Sequence, residues 1–303
     1  MPELVLNTSE KKSVDGLCKE ILSSIVRPLP ASLYHYTTGA GLLGILGDAE
    51  IRATNIAYLN DSTEYLHSID LLITAGRHFD GQVPDEQQDL LSKLWYRLST
   101  LDRREPPAVY VACFSEARDQ LSQWRGYGGG ESGFCLQFDG PGIARLSAGL
   151  LLPCIYELEA QYRLVREVVE RLLNIFADHA PSHAPGDRGA FADALLDYAL
   201  WNLSFLAPAF KHEAFHEERE WRLVLNTPDT SRIHFVAKRT MISGYIPILL
   251  KTPDTGGMMP LTGVMVGPSP SAHLSKAAVR ARSQQLGYQQ LTVTESAAPF
   301  RTT

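Results

Sequence analysis

Two long helical patterns stand side by side in the middle of the chain, at residues 158–178 and about 189–208, with strand-like runs on either side of them. The turn-rich stretch HAPSHAPGDRG joins the two. A regular alternation of strand and helix, the signature of a doubly wound parallel sheet, is incompatible with that order; runs of strands separated from runs of helices favour an α+β arrangement in layers. The expectation is one domain over residues 1–303, with an α+β core built from 30–157 and 209–303 and a helical insertion at 158–208.

Around this division the elements follow from spacing and punctuation. Val14, Leu17, Ile21, Leu22 and Ile25 recur at helical intervals and predict an amphipathic opening helix over 8–26, stopped by Pro28 and Pro30. A short strand at Leu33–Tyr36 leads into a helix from about Thr38 to Leu46, capped by Thr37 or Thr38. A strand is expected at Ile51–Thr54, then a helix from Asp61 to about His78, where Asp61 and Glu64 have the spacing of a capping box. A helix over 84–101 carries Leu90, Leu91, Leu94, Trp95 and Leu98 on one face. Strands are expected at 109–115, 134–138, 221–225, 233–237, 243–250, 262–266 and 291–295, with a helix near 273–286.

Composition narrows the function classes. With 45% apolar and 20% charged residues the chain is a globular one, and a net charge of −6 argues against a surface made for non-specific phosphate binding. No apolar run approaches the length of a membrane span, and residues 1–10 lack the features of a signal peptide, so a cytoplasmic location with no membrane partner is expected. The cysteines Cys18, Cys113, Cys135 and Cys154 form no CxxC pair, which points to small buried residues rather than a zinc ribbon or a disulfide framework.

Four stretches concentrate groups capable of chemistry. In LYHYTTGAGLLGIL a strand delivers His35, Tyr36 and Thr37 just ahead of a helix amino terminus, a place suited to a phosphate or ribose, or simply a capped helix beside a buried aromatic pair. In IRATNIAYLNDSTEYL, Tyr58 fits either stacking on a flat ring or a buried aromatic, and Asn60 and Asp61 fit turn and cap roles ahead of ligand contact. In CFSEARDQLSQWRGYGGGESGFCLQF, Ser115 ends a strand and a loop gathers Trp124, Arg125 and Tyr127 with Gly128, Gly129 and Gly130, which fit either close approach by a ligand or a turn.

The fourth, KHEAFHEEREWRLV, holds two rival centres. His212, Glu213 and His216 spell H-E-x-x-H, which on a helix binds zinc with the glutamate as base; no third ligand with the expected continuation follows, and strand-like residues come almost at once, so no metal site is assigned. The other centre is Glu218-Arg219-Glu220, where strand periodicity would send both carboxylates to one face for shared electrostatic and proton-transfer work, or else leave an exposed acidic turn.

Taken in order, these stretches resemble an uncharacterised, mainly bacterial domain-of-unknown-function family. The resemblance is carried by Leu33-Tyr34-His35-Tyr36-Thr37, Leu59-Asn60-Asp61 with Glu64, Cys113-Phe114-Ser115, Trp124 with Tyr127, Gly133-Phe134-Cys135, Glu218 to Arg222, Gly267-Pro268 and Pro299-Phe300-Arg301, spanning about 33–301. More loosely, the opening strand with its histidine and threonine before a helix is similar to the start of DNA-modifying ADP-ribosyltransferase toxins and of RNA 2′-phosphotransferases. That similarity implies two small mixed sheets, a split core around a cleft for NAD.

It also implies roles. His35 would hold the adenosine ribose, Tyr58 or Tyr36 would stack on nicotinamide, Glu220 would bind the nicotinamide ribose, Glu218 would orient the acceptor and Ser115 would buttress the cleft, with Asn60, Thr37, Trp124, Arg125 and Tyr127 as further binding candidates. The activity implied is cleavage of NAD, taken as a substrate, with transfer of ADP-ribose to a nucleic acid or protein, in bacterial conflict or phage defence. Loop lengths and the helical insertion depart from that pattern. The alternatives are a non-catalytic nucleotide or nucleic-acid binding module, and a zinc hydrolase built on HEAFH.

Overall fold

A computed structural model describes residues 5–59, 64–100, 107–128, 133–146, 149–227, 229–238, 240–251 and 257–298. In chain order it begins with α1 (Thr8–Ile25), β1 (Ser32–Thr37), α2 (Gly39–Asp48), β2 (Glu50–Asn55), α3 (Glu64–Gly76) and α4 (Asp85–Thr100). Next come β3 (Val109–Ser115), α5 (Leu121–Tyr127), β4 (Phe134–Asp139), α6 (Gly140–Ala144), β5 (Leu150–Pro153), α7 (Leu158–His179), α8 (Arg188–Leu203) and α9 (Leu206–Ala209). The chain closes with β6 (Glu220–Asn226), β7 (His234–Ala237), β8 (Ile242–Leu249), β9 (Leu261–Val266), α10 (Ala272–Gln285) and β10 (Thr292–Glu295).

The fold is α+β with a mixed sheet, and the chain divides into two compact units: Met1–Val26, Ile56–Val109 and Ile155–Glu213 form one, and Arg27–Asn55, Tyr110–Cys154 and Ala214–Thr303 the other. The first is helical and takes in more of the chain than the expected insertion at 158–208, because α1, α3 and α4 join it. Its longest helix, α7, buries Val165, Val168, Val169, Leu172 and Phe176 at intervals of three and four, the stripe that α1, α3 and α4 pack against. Asn7 caps α1 in a reciprocal box with Glu10, and the fully buried Glu10 also meets His183 Nε2 at 2.8 Å. The helix expected over 189–208 breaks in two at residues 204–205. Pro208 explains it: with no N–H to offer the Ser204 carbonyl one turn back, and a ring that crowds it, an unbroken helix is disfavoured.

The second unit holds the sheet, ordered β10-β9-β4-β1-β3-β2-β8-β7, with β6 joined to β3 and β5 to β6. Only β9 and β10 pair in parallel among the registered strands, as their connection through α10 requires. Strand β5 has no counterpart in the sequence reading. Four residues, LLLP, ending in a proline give too short a run to register as a strand, yet β5 pairs with β6 from Leu150↔Val224 to Pro153↔Trp221. The helix expected from Asp61 is present from Glu64; Asp61, the cap of the proposed capping box, lies outside the described residues.

The period of two along each strand sorts side chains onto two faces. Leu33, Tyr110, Ala112, Phe114, Phe134, Leu136, Phe138, Trp221, Leu223, Val264, Val266 and Val293 form one apolar core together with residues of α2 and α10. The alternate positions on the same strands read differently: Tyr34 and Tyr36 on β1, Cys113 and Ser115 on β3, Cys135 and Gln137 on β4, Glu220 and Arg222 on β6, Thr292 and Thr294 on β10. Cys135 packs there with Tyr36, Met265 and Trp124 of α5.

Candidate functional site

Strand β3 meets three strands. It pairs with β2 through Tyr110 and Val111, with β1 at Tyr34↔Ser115, and with β6. A strand has two edges, so three partners mean the sheet forks along it. Continuing the β1–β3 register would set Tyr36 opposite Cys113, but the ladder stops after its first pair. His35 spans the gap instead: its Nδ1 lies 2.9 Å from the Cys113 carbonyl oxygen. A carbonyl only accepts, so Nδ1 carries the proton and Nε2 is left as an acceptor. Burial pushes the His35 imidazole below its ordinary value, against the weaker pull of the carbonyl bond, so the neutral ring is favoured.

A cavity of about 40 Å³ opens at this fork, lined by residues of β1, β3 and α5 together with Glu218 and Glu220. The lining includes His35, Tyr36, Ser115, Tyr127, Glu218 and Glu220. Candidates separated by most of the chain are thus gathered within one unit. Its size is room for about three waters.

Glu220 is buried and its Oε2 accepts from the Arg222 guanidinium at 2.9 Å, with the Cys154 thiol 3.9 Å away. Arg222, equally buried, follows Glu220 by two residues on β6, so strand parity accounts for this pair. Parity does not account for Glu218 and Glu220, the convergence expected from the sequence. Glu218 ends a 3-10 helix, Glu213–Glu218, and Arg219 at φ +44° turns the chain before β6 begins. Glu218 reaches the cavity through that turn, which Ser115 holds: its hydroxyl donates to the Glu218 carbonyl at 2.5 Å and accepts from the Ala117 amide at 2.9 Å.

The aromatics are engaged mainly in structure. The Tyr36 hydroxyl donates to the Ala117 carbonyl at 2.6 Å and accepts from the Gln120 amide at 3.1 Å, and burial raises its pKa well above the ordinary phenol range. Its ring meets that of Trp124 edge-on at 4.8 Å. Trp124 donates to Asp119 at 2.7 Å and packs so closely on Gly267 that a Cβ there would come within 2.9 Å of the indole. Trp124 is therefore a core residue behind the cavity, not part of its lining. Arg125 is exposed and Thr37 half-buried beside the first turn of α2, and neither lines the cavity; Thr38, not Thr37, caps α2. Tyr58 belongs to the helical unit and is not a lining residue, and Asn60 lies outside the described residues.

Residues 123–223 match the model of a family described as protein of unknown function (DUF2971). The matched stretch includes Trp124, Tyr127, Glu218, Glu220 and Arg222 but stops short of half the chain and leaves out His35 and Ser115. No curated protein and no solved structure matches the chain. No named activity is attached to the site by these similarities.

Two further points concern the rival centre at HEAFH. The 3-10 helix there begins at Glu213, so His212 precedes the helix that carries His216 and the two do not stand on one α-helix. Among the described residues no three His, Cys, Asp or Glu side chains come together to hold a metal ion. The sequence reading also missed Arg222 as the partner of Glu220. Its signal was present: a lone arginine inside the apolar strand run WRLVL has to find a carboxylate, and the residue two before it on the same face is one.

Proposed function

We propose that this chain is an ADP-ribosyltransferase-like enzyme that cleaves NAD at the nicotinamide–ribose bond and passes ADP-ribose to a nucleic acid or protein. The observation that carries the reading is that His35 and Glu220, 185 positions apart in sequence, line one cavity whose other carboxylate is Glu218. The bond from ribose C1′ to the nicotinamide nitrogen breaks, its electron pair leaves on nicotinamide, and positive charge develops on the sugar. A carboxylate fixed in a place with little water stabilises that charge without reorganising, and Arg222 fixes Glu220 in this way. The acceptor's oxygen or nitrogen adds to C1′ and gives up a proton, for which Glu218 supplies a base. The His35 Nε2 accepts from a ribose hydroxyl. The cavity is smaller than a ribose, so His35 and Glu220 meet one sugar at its mouth, in place of the two separate riboses that the resemblance implies, and the ligand's remainder lies beyond the rim.

The test is incubation of the purified chain with labelled NAD and candidate acceptors, nucleic acid and protein. Release of nicotinamide that is lost in Glu220→Gln supports the enzyme; no cleavage, transfer or binding removes it. A second reading, a non-catalytic nucleotide or nucleic-acid binding module, has one observation in its favour: Glu220 is already neutralised in an ion pair with Arg222, which suits holding the cleft in shape without reacting. Ligand binding that survives Glu220→Gln, with no turnover in either form, selects that binding module.

A further inference from the structure

Beside the cavity lies a second recess, about 10 Å³ in volume, on the polar face of the sheet. Tyr34 lines both. The registers place its floor: Tyr34 of β1 stands opposite Gln137 of β4, Gln137 opposite Gly263 of β9, and Gly263 opposite Thr292 of β10. Gly263 is what keeps the row open, since a Cβ there would press on Gln137 and on the Thr292 carbonyl at 3.2–3.4 Å. A register shift between Gln137 and Phe138 bends β4 at the same place. Arg118 edges the recess with a guanidinium nitrogen 3.4 Å from the Thr294 hydroxyl.

The charges of the two hollows are opposite. The cavity at the fork presents Glu218 beside the Glu220–Arg222 pair, whereas Arg118 is the charged side chain among the lining residues of the recess. The nearby carboxylates are engaged: Asp119 accepts from Trp124, Ser296 and the Ala297 amide, and Glu295 pairs with Lys276. A ligand that suits both hollows is cationic at one end and anionic at the other.

We propose that the recess formed by Tyr34, Gln137, Gly263, Thr292 and Thr294 with Arg118 is a phosphate subsite, over which sits the 5′-phosphate end of a nicotinamide nucleotide whose cationic riboside end lies at the mouth of the neighbouring acidic cavity. This rests on the NAD reading above. The phosphate oxygens accept from the guanidinium and the two threonine hydroxyls, and the Tyr34 ring separates the two halves of the ligand. Gly263 sets the depth of the recess, so a side chain there competes with the phosphate.

The experiment measures binding of nicotinamide mononucleotide, nicotinamide riboside, inorganic pyrophosphate and a short single-stranded oligonucleotide to the full chain by calorimetry. One charge-assisted contact predicts that the mononucleotide binds about tenfold more tightly than the riboside. In Arg118→Gln, an exposed position whose change leaves the core intact, that preference disappears, and Gly263→Val reduces it while riboside affinity stays. Equal affinities in the unaltered chain, or a preference that persists in Arg118→Gln, overturn the subsite and leave NAD cleavage standing. Pyrophosphate binding lost in Arg118→Gln, with no nicotinamide ligand bound, keeps the anion site but overturns the paired-hollow assignment and the NAD reading with it. Arg118-dependent binding of the oligonucleotide alone assigns the recess to a nucleic-acid backbone and overturns the proposal.

Discussion

The helical unit and the sheet unit use their polar residues in different ways. In the helical unit the buried polar groups tie ends together: Glu10 joins the start of α1 to His183, and Gln161 donates to the Ile155 and Lys211 carbonyls at 2.6 and 2.9 Å. In the sheet unit Ser115, Gln123 and Glu220 gather at the fork, with Arg222 paired to Glu220. The difference follows from periodicity. A helix in a bundle spends its one apolar stripe on the core and turns the rest to solvent, whereas a sheet can close its core with one face and leave the other to be filled with residues chosen for chemistry.

If that division is right, damage to the helical core should appear as lost stability and little else. Phe191 is the sharpest case, because its ring is stacked between Phe176 at 5.6 Å and His183 at 4.3 Å and is fully buried. Phe191→Ala should cost about 3–5 kcal/mol in urea unfolding, the range for deleting a buried aromatic. Nicotinamide release per folded molecule should be unchanged; a loss of turnover out of proportion to the folded fraction would break the comparison.

Glu220→Gln attacks the other unit. Removing a preorganised group that meets transition-state charge typically slows catalysis 100- to 1,000-fold, about 2.7–4 kcal/mol, and that is the fall expected in NAD cleavage. The amide oxygen still accepts from Arg222, but the charge balance of a buried pair is lost, so some stability goes as well. Circular dichroism identifies the temperature at which the variant is folded, and turnover compared there separates the two effects. Equal rates would remove Glu220 from the chemistry.

How much of this was readable beforehand differs between the units for the same reason. Long amphipathic helices announce themselves, and α1, α4 and α7 begin and end within a residue or two of their sequence limits. The strands of the sheet were also largely legible, β5 excepted, since four residues carry too little pattern. What no spacing reveals is a fork in a sheet. That His35, Ser115 and Glu220 line one cavity depends on β3 having three partners, a fact of long-range pairing. Glu218 and Glu220 line one cavity, but through the turn at Arg219, whose positive φ ends strand geometry between them, while the parity rule applied two residues later finds the Glu220–Arg222 pair.

His35 gives a pH test of the sheet unit. Its imidazole is depressed in the folded state by burial, so between its folded value and the ordinary value of about 6.5 the unfolded chain binds a proton that the folded chain refuses. Its contribution to stability is full above that ordinary value and is lost as pH falls through the folded one. Urea midpoints recorded from pH 7.5 downward should fall less steeply in His35→Gln than in the unaltered chain. Superimposable slopes would mean that the imidazole is no less able to take a proton when folded.

The smallest effect belongs to the helical unit's surface, where Lys93 and Arg97 of α4 meet Asp193 of α8 at 2.8 and 2.9 Å. Taken at face value, two cations on one carboxylate make a strong clamp between helices. Asp193 is, however, 43% exposed, and water and salt screen such a pair while two long side chains lose freedom in making it. Asp193→Asn should therefore cost less than about 1 kcal/mol at low salt and almost nothing at high salt. Glu220 and Asp193 both pair with arginine at 2.9 Å, and Asp193 has Lys93 as well, so a smaller loss at Asp193 would rank burial above the number of partners. A loss at Asp193 as large and as salt-insensitive as that at Glu220 would show that distance, and not the removal of water, sets the worth of these ion pairs.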